Sequence, residues 1–194
     1  MARIGAAVLA AGAGVRMGTP KAELVVARER LLDRAVRVVT EAGCRPVWAV
    51  VRDGVAVSGA RPLVNPDPAR GMRSSLDLAV AAAQRAGVDA LAVVLVDLPG
   101  LTARDVAAVS GAWAPGRIAV GRYAGRRGHP TVMGVATWRA ALGLAGPDEG
   151  ARAYLAAHLD LVDEVAVDGD PSDLDTPDDL RRWLASGRAD LPDP

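Results

Sequence analysis

Two short apolar runs set the frame for this chain. Residues 4–9 (IGAAVL) and 90–96 (ALAVVLV) are hydrophobic without polar alternation, so each predicts a strand covered on both faces, as in a parallel sheet sandwiched between helices. The first run opens into a glycine-rich loop, Leu9-Ala10-Ala11-Gly12-Ala13-Gly14-Val15-Arg16-Met17-Gly18-Thr19-Pro20-Lys21, and the second stops at Asp97-Leu98-Pro99-Gly100. Ligands of open parallel sheets bind outside the carboxyl ends of the strands. A glycine-rich loop and a carboxylate at two such ends are therefore candidate chemistry.

The remaining pattern alternates. Leu32, Ala35, Val36 and Val39 recur at helical spacing before Gly43, predicting a helix over 31–42, and a strand over 46–51 follows. A loop through Asn65 and Gly71 leads to a helix over 74–86 that ends at Gly87. Thr102 is placed to cap a helix over 105–112; residues 117–122 read as a strand and 125–130 as a basic, glycine-punctuated loop. Helices over 137–142 and 148–158, a strand over 162–167, and a helix opened by Thr176-Pro177-Asp178-Asp179 complete the series. With no linker and no fixed-period repeat, this predicts one α/β domain over 1–187, a doubly wound, mostly parallel sheet with helices on both faces, and a flexible tail over 188–194.

Composition narrows the class. The chain is 51% hydrophobic but 3% aromatic with no Phe, so its core must be Ala, Val, Leu and Ile. Lys plus Arg and Asp plus Glu both total 23, which argues against a nucleic-acid partner. Cys44 is the only cysteine; with no internal disulfide and no zinc-type Cys/His spacing, a reducing, cytoplasmic setting is expected. The apolar start is too short to span a bilayer, so no membrane association is expected.

Lys21 is the only lysine beside 22 arginines, and Asn65 the only asparagine. A lone lysine points to a position where a compact ammonium does what a planar guanidinium does not, although survival on a solvated surface is the alternative. Asn65, between an apolar pair and prolines, suits a turn. The glycine-rich loop fits neither familiar phosphate fingerprint. After Gly12 and Gly14 the third dinucleotide position is Met17, and a P-loop would have four residues, not five, between Gly12 and Gly18. Exposed amides with two cations, Arg16 and Lys21, suit a triphosphate whose leaving pyrophosphate must be neutralised.

At this point the sequence resembles a family. LAAGAGVRMGTPK is similar to the L-A-A-G-x-x-x-R-M-G-x-x-K signature of nucleotidyltransferases related to molybdenum cofactor cytidylyltransferase and its guanylyltransferase relative. NPDPARGMRSSL, VLVDLPGLT, RRGHP and DLDTPDDL resemble further family segments, in order, over residues 4–181. The departures are Leu98 for a usual Met and Gly14 where Ser is common.

The resemblance implies transfer of a nucleoside monophosphate from a nucleoside triphosphate to a phosphorylated small-molecule acceptor, with molybdopterin as the acceptor, a molybdoenzyme as possible protein partner and Mg2+ as cofactor. Arg16, Lys21 and Asp97 would be catalytic, and Asp97 with Asp175 would hold the metal. Leu9, Ala10, Ala11, Gly12, Gly14, Arg16, Lys21, Asn65, Gly71, Ser74 and Ser75 would line the nucleotide, and Arg127, Gly128 and His129 the acceptor. Ala10-Ala11-Gly12 leans towards CTP over GTP.

Alternatives stand beside these roles. Asp97 and Asp175 could be turn or capping acids, and Ser74 and Ser75 could cap the helix that follows. His129 could belong to a solvated basic turn. His158, Cys44 and the four tryptophans read as structural. An NAD(P)H-dependent oxidoreductase, with Asp53 in the region of a ribose acid, and a non-catalytic nucleotide- or cofactor-binding module are the rival functions.

Overall fold

The computed structural model describes residues 2–146 and 149–187. In chain order its elements are β1 (Ile4–Leu9), the hairpin β2 (Val25–Val26) and β3 (Glu29–Arg30), α1 (Leu31–Glu41), β4 (Val47–Val51), β5 (Arg61–Val64), α2 (Met72–Ala86), β6 (Ala90–Leu95), α3 (Ala103–Ala112), β7 (Ile118–Tyr123), β8 (Arg126–Gly134), α4 (Val135–Leu144), α5 (Arg152–Ala157), β9 (Val162–Ala166) and α6 (Pro177–Ala185). The expected helix start at Asp148 and the tail over 188–194 lie outside the described residues.

Seven strands form one sheet in the order β5-β4-β1-β6-β8-β7-β9. All neighbouring pairs are parallel except those made by β8, which runs antiparallel to β6 and β7. The chain winds outward from β1 to β4 and β5, then returns to the other side of β1 as β6. This reversal leaves a crevice beyond the carboxyl ends of β1 and β6, the two runs singled out in the sequence.

Alternation along the strands fills two helical layers. Ala6 and Val8 of β1 and Ala92 and Val94 of β6 pack with α1, α3 and Trp183 of α6. Ala7, Leu9, Leu91 and Val93 pack with α2 and α4. Small side chains let the helices approach closely. Trp138, with its indole nitrogen donating to the Leu91 carbonyl (2.8 Å), supplies bulk between α4 and the sheet.

The doubly wound, mostly parallel architecture with helices on both faces is as expected; three local readings are corrected. Residues 125–130 are not a loop. Residues 126–130 belong to β8, joined to β7 by the turn Ala124-Gly125, whose φ angles of 46° and 88° are those of a tight two-residue hairpin. The register passes from Val120↔Thr131 to Gly121↔Gly128, so His129 and Pro130 sit in a bulge. A bulge is where a proline without an N–H is tolerated inside a sheet. Second, the stretch before Asn65 contains β5, an edge strand paired with β4; Arg61-Pro62-Leu63-Val64 lacks an apolar pattern because an edge strand needs none. Third, α2 begins at Met72 with Gly71 as its N-cap, so Ser74 and Ser75 lie within the first turns and neither is the cap.

Candidate active site

The loop after β1 returns over the crevice through two short 3-10 turns, Val15–Met17 and Lys21–Glu23. Gly14 permits the first of them. Its φ is +60°, and a Cβ there would overlap the Thr19 carbonyl oxygen. The departure from Ser at this position thus has a local reason.

The loop delivers Lys21 to the end of β6. Its Nζ donates to Asp97 Oδ2 at 2.6 Å and to Asp175 Oδ1, while Arg16 Nη2 pairs with Asp175 Oδ2 at 3.1 Å. Residues 16, 21, 97 and 175 therefore meet at one point. Burial opposes the Lys21 charge, but the hydrogen bonds to Asp175 and Asp97 outweigh it and hold the ammonium above its ordinary range. The hydrogen bond from Lys21, working against the cost of burial, holds the Asp175 carboxyl below the usual carboxylate range. The Lys21 and Asp175 charges both persist at neutral pH.

Neither acid caps a helix. Thr102 caps α3 in a reciprocal box with Asp105, and Thr176 caps α6 in one with Asp179. The acids are placed by backbone instead: the Leu174 N–H donates to the Asp97 carbonyl (2.9 Å) and the Asp170 N–H to the Gly100 carbonyl (3.1 Å). A Cβ at Gly100 would strike Asp170 and Trp183, so the segment ahead of Asp175 lies tight against the exit of β6. Asp179 Oδ2 accepts from the backbone N–H groups of Asp175 (3.2 Å) and Thr176 (2.7 Å). Hydrogen bonds from Thr176 and Arg182 hold Asp179 at about 2. Sequence reading placed Asp179 only among the acids of a first helical turn; the T-x-x-D capping signal was the clue to more.

Among the described residues no group of three or more His, Cys, Asp or Glu side chains is arranged to hold a metal ion. Two carboxylates nevertheless fit magnesium, which takes most of its ligands from phosphate and water. One feature supports the fit: Asp97 Oδ1 is buried and accepts no hydrogen bond among the described residues. A hard cation satisfies such an oxygen at lower cost than leaving it bare.

Asn65 is spoken for. Its Nδ2 donates to Ser74 Oγ (2.8 Å) and Ser75 Oγ (3.0 Å), and its Oδ1 accepts from the Asp67 N–H (3.0 Å). The residue ties the loop to the start of α2, and Ser74 Oγ donates in turn to the Gly71 carbonyl (2.8 Å). Asn65 thus holds Gly71, Ser74 and Ser75 together as a unit at the start of α2.

On the far side, Arg127 and Gly128 run along β8 and His129 projects from its bulge. Arg127 Nε donates to Glu164 (2.6 Å). His129 Nδ1 donates to the Val93 carbonyl (3.1 Å), and Tyr123 Oη donates to the His129 carbonyl. Burial lowers the His129 pKa against the opposing pulls of the Val93 carbonyl and Asp97, so the ring is neutral with Nε2 as an acceptor. Sequence gave no acid to orient this imidazole; a backbone carbonyl does so. Arg127, Gly128 and His129 line a cavity of about 740 Å3 with Leu95, Leu98 and Leu174, chain neighbours of the two acids, and with Arg152, which sequence reading left unassigned.

The residues read as structural are so placed. His158 stacks on Tyr154 and bonds its carbonyl (2.9 Å). Cys44 is buried, and burial pushes its thiol up, away from reactivity. Trp48, Trp138 and Trp183 are buried in the layers. Asp53 is an exposed turn residue after β4. No described helix is long and apolar enough to cross a membrane.

Comparison with known proteins agrees with this fold. The chain is 32% identical to nicotine blue oxidoreductase of Paenarthrobacter nicotinovorans, over 91% of this chain and 94% of that one. It is 36% identical over 120 residues to the probable molybdenum cofactor guanylyltransferase of Opitutus terrae, 61% of this chain and 59% of that one. Rv0371c of Mycobacterium tuberculosis superposes with a TM-score of 0.83 at 29% identity over 95% of this chain and 98% of that one. The same protein in complex with manganese gives 0.79 at 28% identity, over 95% and 99%. The MobA-like NTP transferase domain matches residues 6–162, and with the crevice between β1 and β6 built as described, the chain belongs to the MobA-like nucleotidyltransferase family.

Proposed function

We propose that this nucleotidyltransferase moves CMP, in preference to GMP, from the nucleoside triphosphate to a phosphate of a molybdopterin-type acceptor, with Mg2+ as cofactor. A phosphate oxygen of the acceptor attacks the α-phosphorus; the new O–P bond forms as the bond to the β-phosphate oxygen breaks and pyrophosphate leaves. Such a reaction needs positioning and charge neutralisation more than covalent chemistry.

The observation that carries the reading is the convergence of Lys21, Asp97 and Asp175 on one point of the crevice. Lys21 and Arg16 neutralise the charge that grows on the leaving pyrophosphate. The amides of Ala11, Gly12 and Gly14, in the loop that continues from Leu9 and Ala10, bind phosphate and base, while Gly71, Ser74 and Ser75, held by Asn65, close on the base and ribose. Asp97 and Asp175 hold Mg2+, which would supply positive charge to the triphosphate oxygens; the manganese complex of the Mycobacterium tuberculosis relative supports a divalent ion. The Ala11 methyl narrows the base pocket in favour of cytosine, a difference worth about 1–3 kcal/mol. The name of the Opitutus terrae relative supports a molybdenum cofactor acceptor, in which case a molybdoenzyme receives the product in the cytoplasm.

A second reading has one specific observation in its favour: the 32% identity to nicotine blue oxidoreductase across 91% of the chain. Against it stands the displaced Gly18, which leaves a dinucleotide without its usual turn, although Asp53, exposed after β4, lies in the region of a ribose acid. One experiment separates the two. With Mg2+ and molybdopterin, CTP should release pyrophosphate faster than GTP, and NADH and NADPH should not be oxidised. Oxidation of either dinucleotide in the presence of an aromatic dye, with no pyrophosphate from any triphosphate, would replace the transferase reading.

A further inference from the structure

Lys21 and Asp97 reach the crevice on separate segments, the turn Lys21–Glu23 and the exit of β6. Both segments are fastened to the same end of α1. Two arginines four positions apart do the fastening: Arg30 at the N-cap of α1 and Arg34 about one turn further on.

Arg30 serves the segment of Lys21. Its Nη1 donates to Glu23 (3.3 Å), two residues past Lys21, while its Nε and Nη2 grip the two Asp33 oxygens, each at 2.8 Å. The Leu31 N–H donates to the Leu24 carbonyl (2.9 Å) and the Leu24 N–H to the Lys21 carbonyl (3.2 Å), so backbone and side chain hold this turn together. Arg34 serves the segment of Asp97. Its Nε donates to the Pro99 carbonyl (2.8 Å), two residues past Asp97, and it borders a small apolar gap with Leu31, Leu98 and Leu101. Gly100 is crowded by Asp170 and Trp183, so the turn over 97–100 is pinned at two successive residues.

The Arg30 and Arg34 side chains are only 22% and 25% exposed. Charge-assisted hydrogen bonds there are shielded from water and stronger than at an open surface. The contact they serve tolerates little movement: the bond from Lys21 Nζ to Asp97 Oδ2 is 2.6 Å long, and a displacement of either segment by about 1 Å would break it.

We propose that Arg34 is a positioning residue of the active site: by holding the Pro99 carbonyl to the helix end that also carries the Lys21 turn, it fixes Asp97 against Lys21. The inference rests on the transferase reading only in giving that contact a chemical purpose. The contact itself can be read without nucleotide or metal.

Lys21 is the only lysine, so a lysine-selective nitrogen NMR spectrum of the full chain holds one side-chain ammonium signal, whose proton exchange with water reports how firmly the ammonium is held. Exchange should be slow in the native chain. Arg34→Ala should speed it about tenfold. Arg34→Gln, which keeps most of the stem, should act in the same direction, and it keeps the test open should Arg34→Ala fail to fold. Arg37→Ala is the control. It removes the arginine that shares Glu29 with Arg34 and pairs with Glu41 further along α1, and it should leave the exchange unchanged. Fast exchange in the native chain, native exchange in the Arg34 variants, or equal acceleration in Arg37→Ala would overturn the proposal. Pyrophosphate release scored separately distinguishes the two ideas: accelerated exchange in Arg34→Ala with no turnover by the native chain would remove the reaction and keep the positioning role, and turnover by the native chain with native exchange in Arg34→Ala would do the reverse.

Discussion

The acidic corner of the crevice and the basic hairpin facing it are built on opposite plans. Asp97 and Asp175 have side chains only 15% and 31% exposed, share one ammonium, and are locked by the backbone bond from Leu174 to Asp97. Arg126 and Arg127 are exposed, and Arg127 is held by one carboxylate of the neighbouring strand β9. The contrast follows the work proposed for each side. A triphosphate and its cation present the same charges in every turnover, so a rigid, paired corner loses little by being preorganised. An acceptor brings its own shape, and solvated arginines on a hairpin can follow it.

The largest expected effect strikes the acidic corner. Lys21→Met should lower the rate of pyrophosphate release by about a thousandfold. In the same variant Mn2+ should bind more tightly without nucleotide, read by electron paramagnetic resonance, because the ammonium no longer competes for the two carboxylates. Weaker Mn2+ binding would mean that Lys21 assembles the corner rather than competing within it.

Next in size, Asp97→Asn should cost about a hundredfold in kcat/KM at fixed Mg2+ and move the Mg2+ titration to higher concentration. An unaltered titration would remove Asp97 from the metal. A smaller effect, about tenfold in the half-saturating Mg2+ concentration, is expected for Asp179→Ala, which frees the Asp175 backbone without touching its carboxylate. Should that titration stay put while thermal stability falls, Asp179 serves α6 alone.

The smallest effect belongs to the hairpin. Burial keeps His129 neutral. Below about pH 6.5 the unfolded chain takes up a proton there that the folded chain refuses, so this contribution to stability is complete above that pH and is lost as pH falls towards the lowered folded value. Melting between pH 7 and pH 5 should therefore cost the native chain about 3 °C more than His129→Gln. Equal slopes would show that the bulge opens to water.

Much of this was legible in the chain. The runs ending at Leu9 and Val96 announce buried strands because a strand covered on both faces must be apolar throughout. Lys21 stands out as the one lysine beside 22 arginines, which singles out a position where a compact ammonium differs from a planar guanidinium. Thr102 and Thr176 cap through local geometry, which a sequence carries in full.

The structure alone decided the rest. The strand Arg126–Gly134 hides behind two arginines, two glycines and a proline, since its pairing comes from β6 and β7 and its irregular residues fall in a bulge. β5 has no pattern of its own and exists by pairing with β4. That Asp97 and Asp175, 78 positions apart, meet at one ammonium depends on Leu174 bonding to Asp97 and on Gly100 admitting Asp170. Sequence determines what is local, periodicity, caps and the type of charge; which distant charges share a point is settled only when strands far apart in the chain pack side by side.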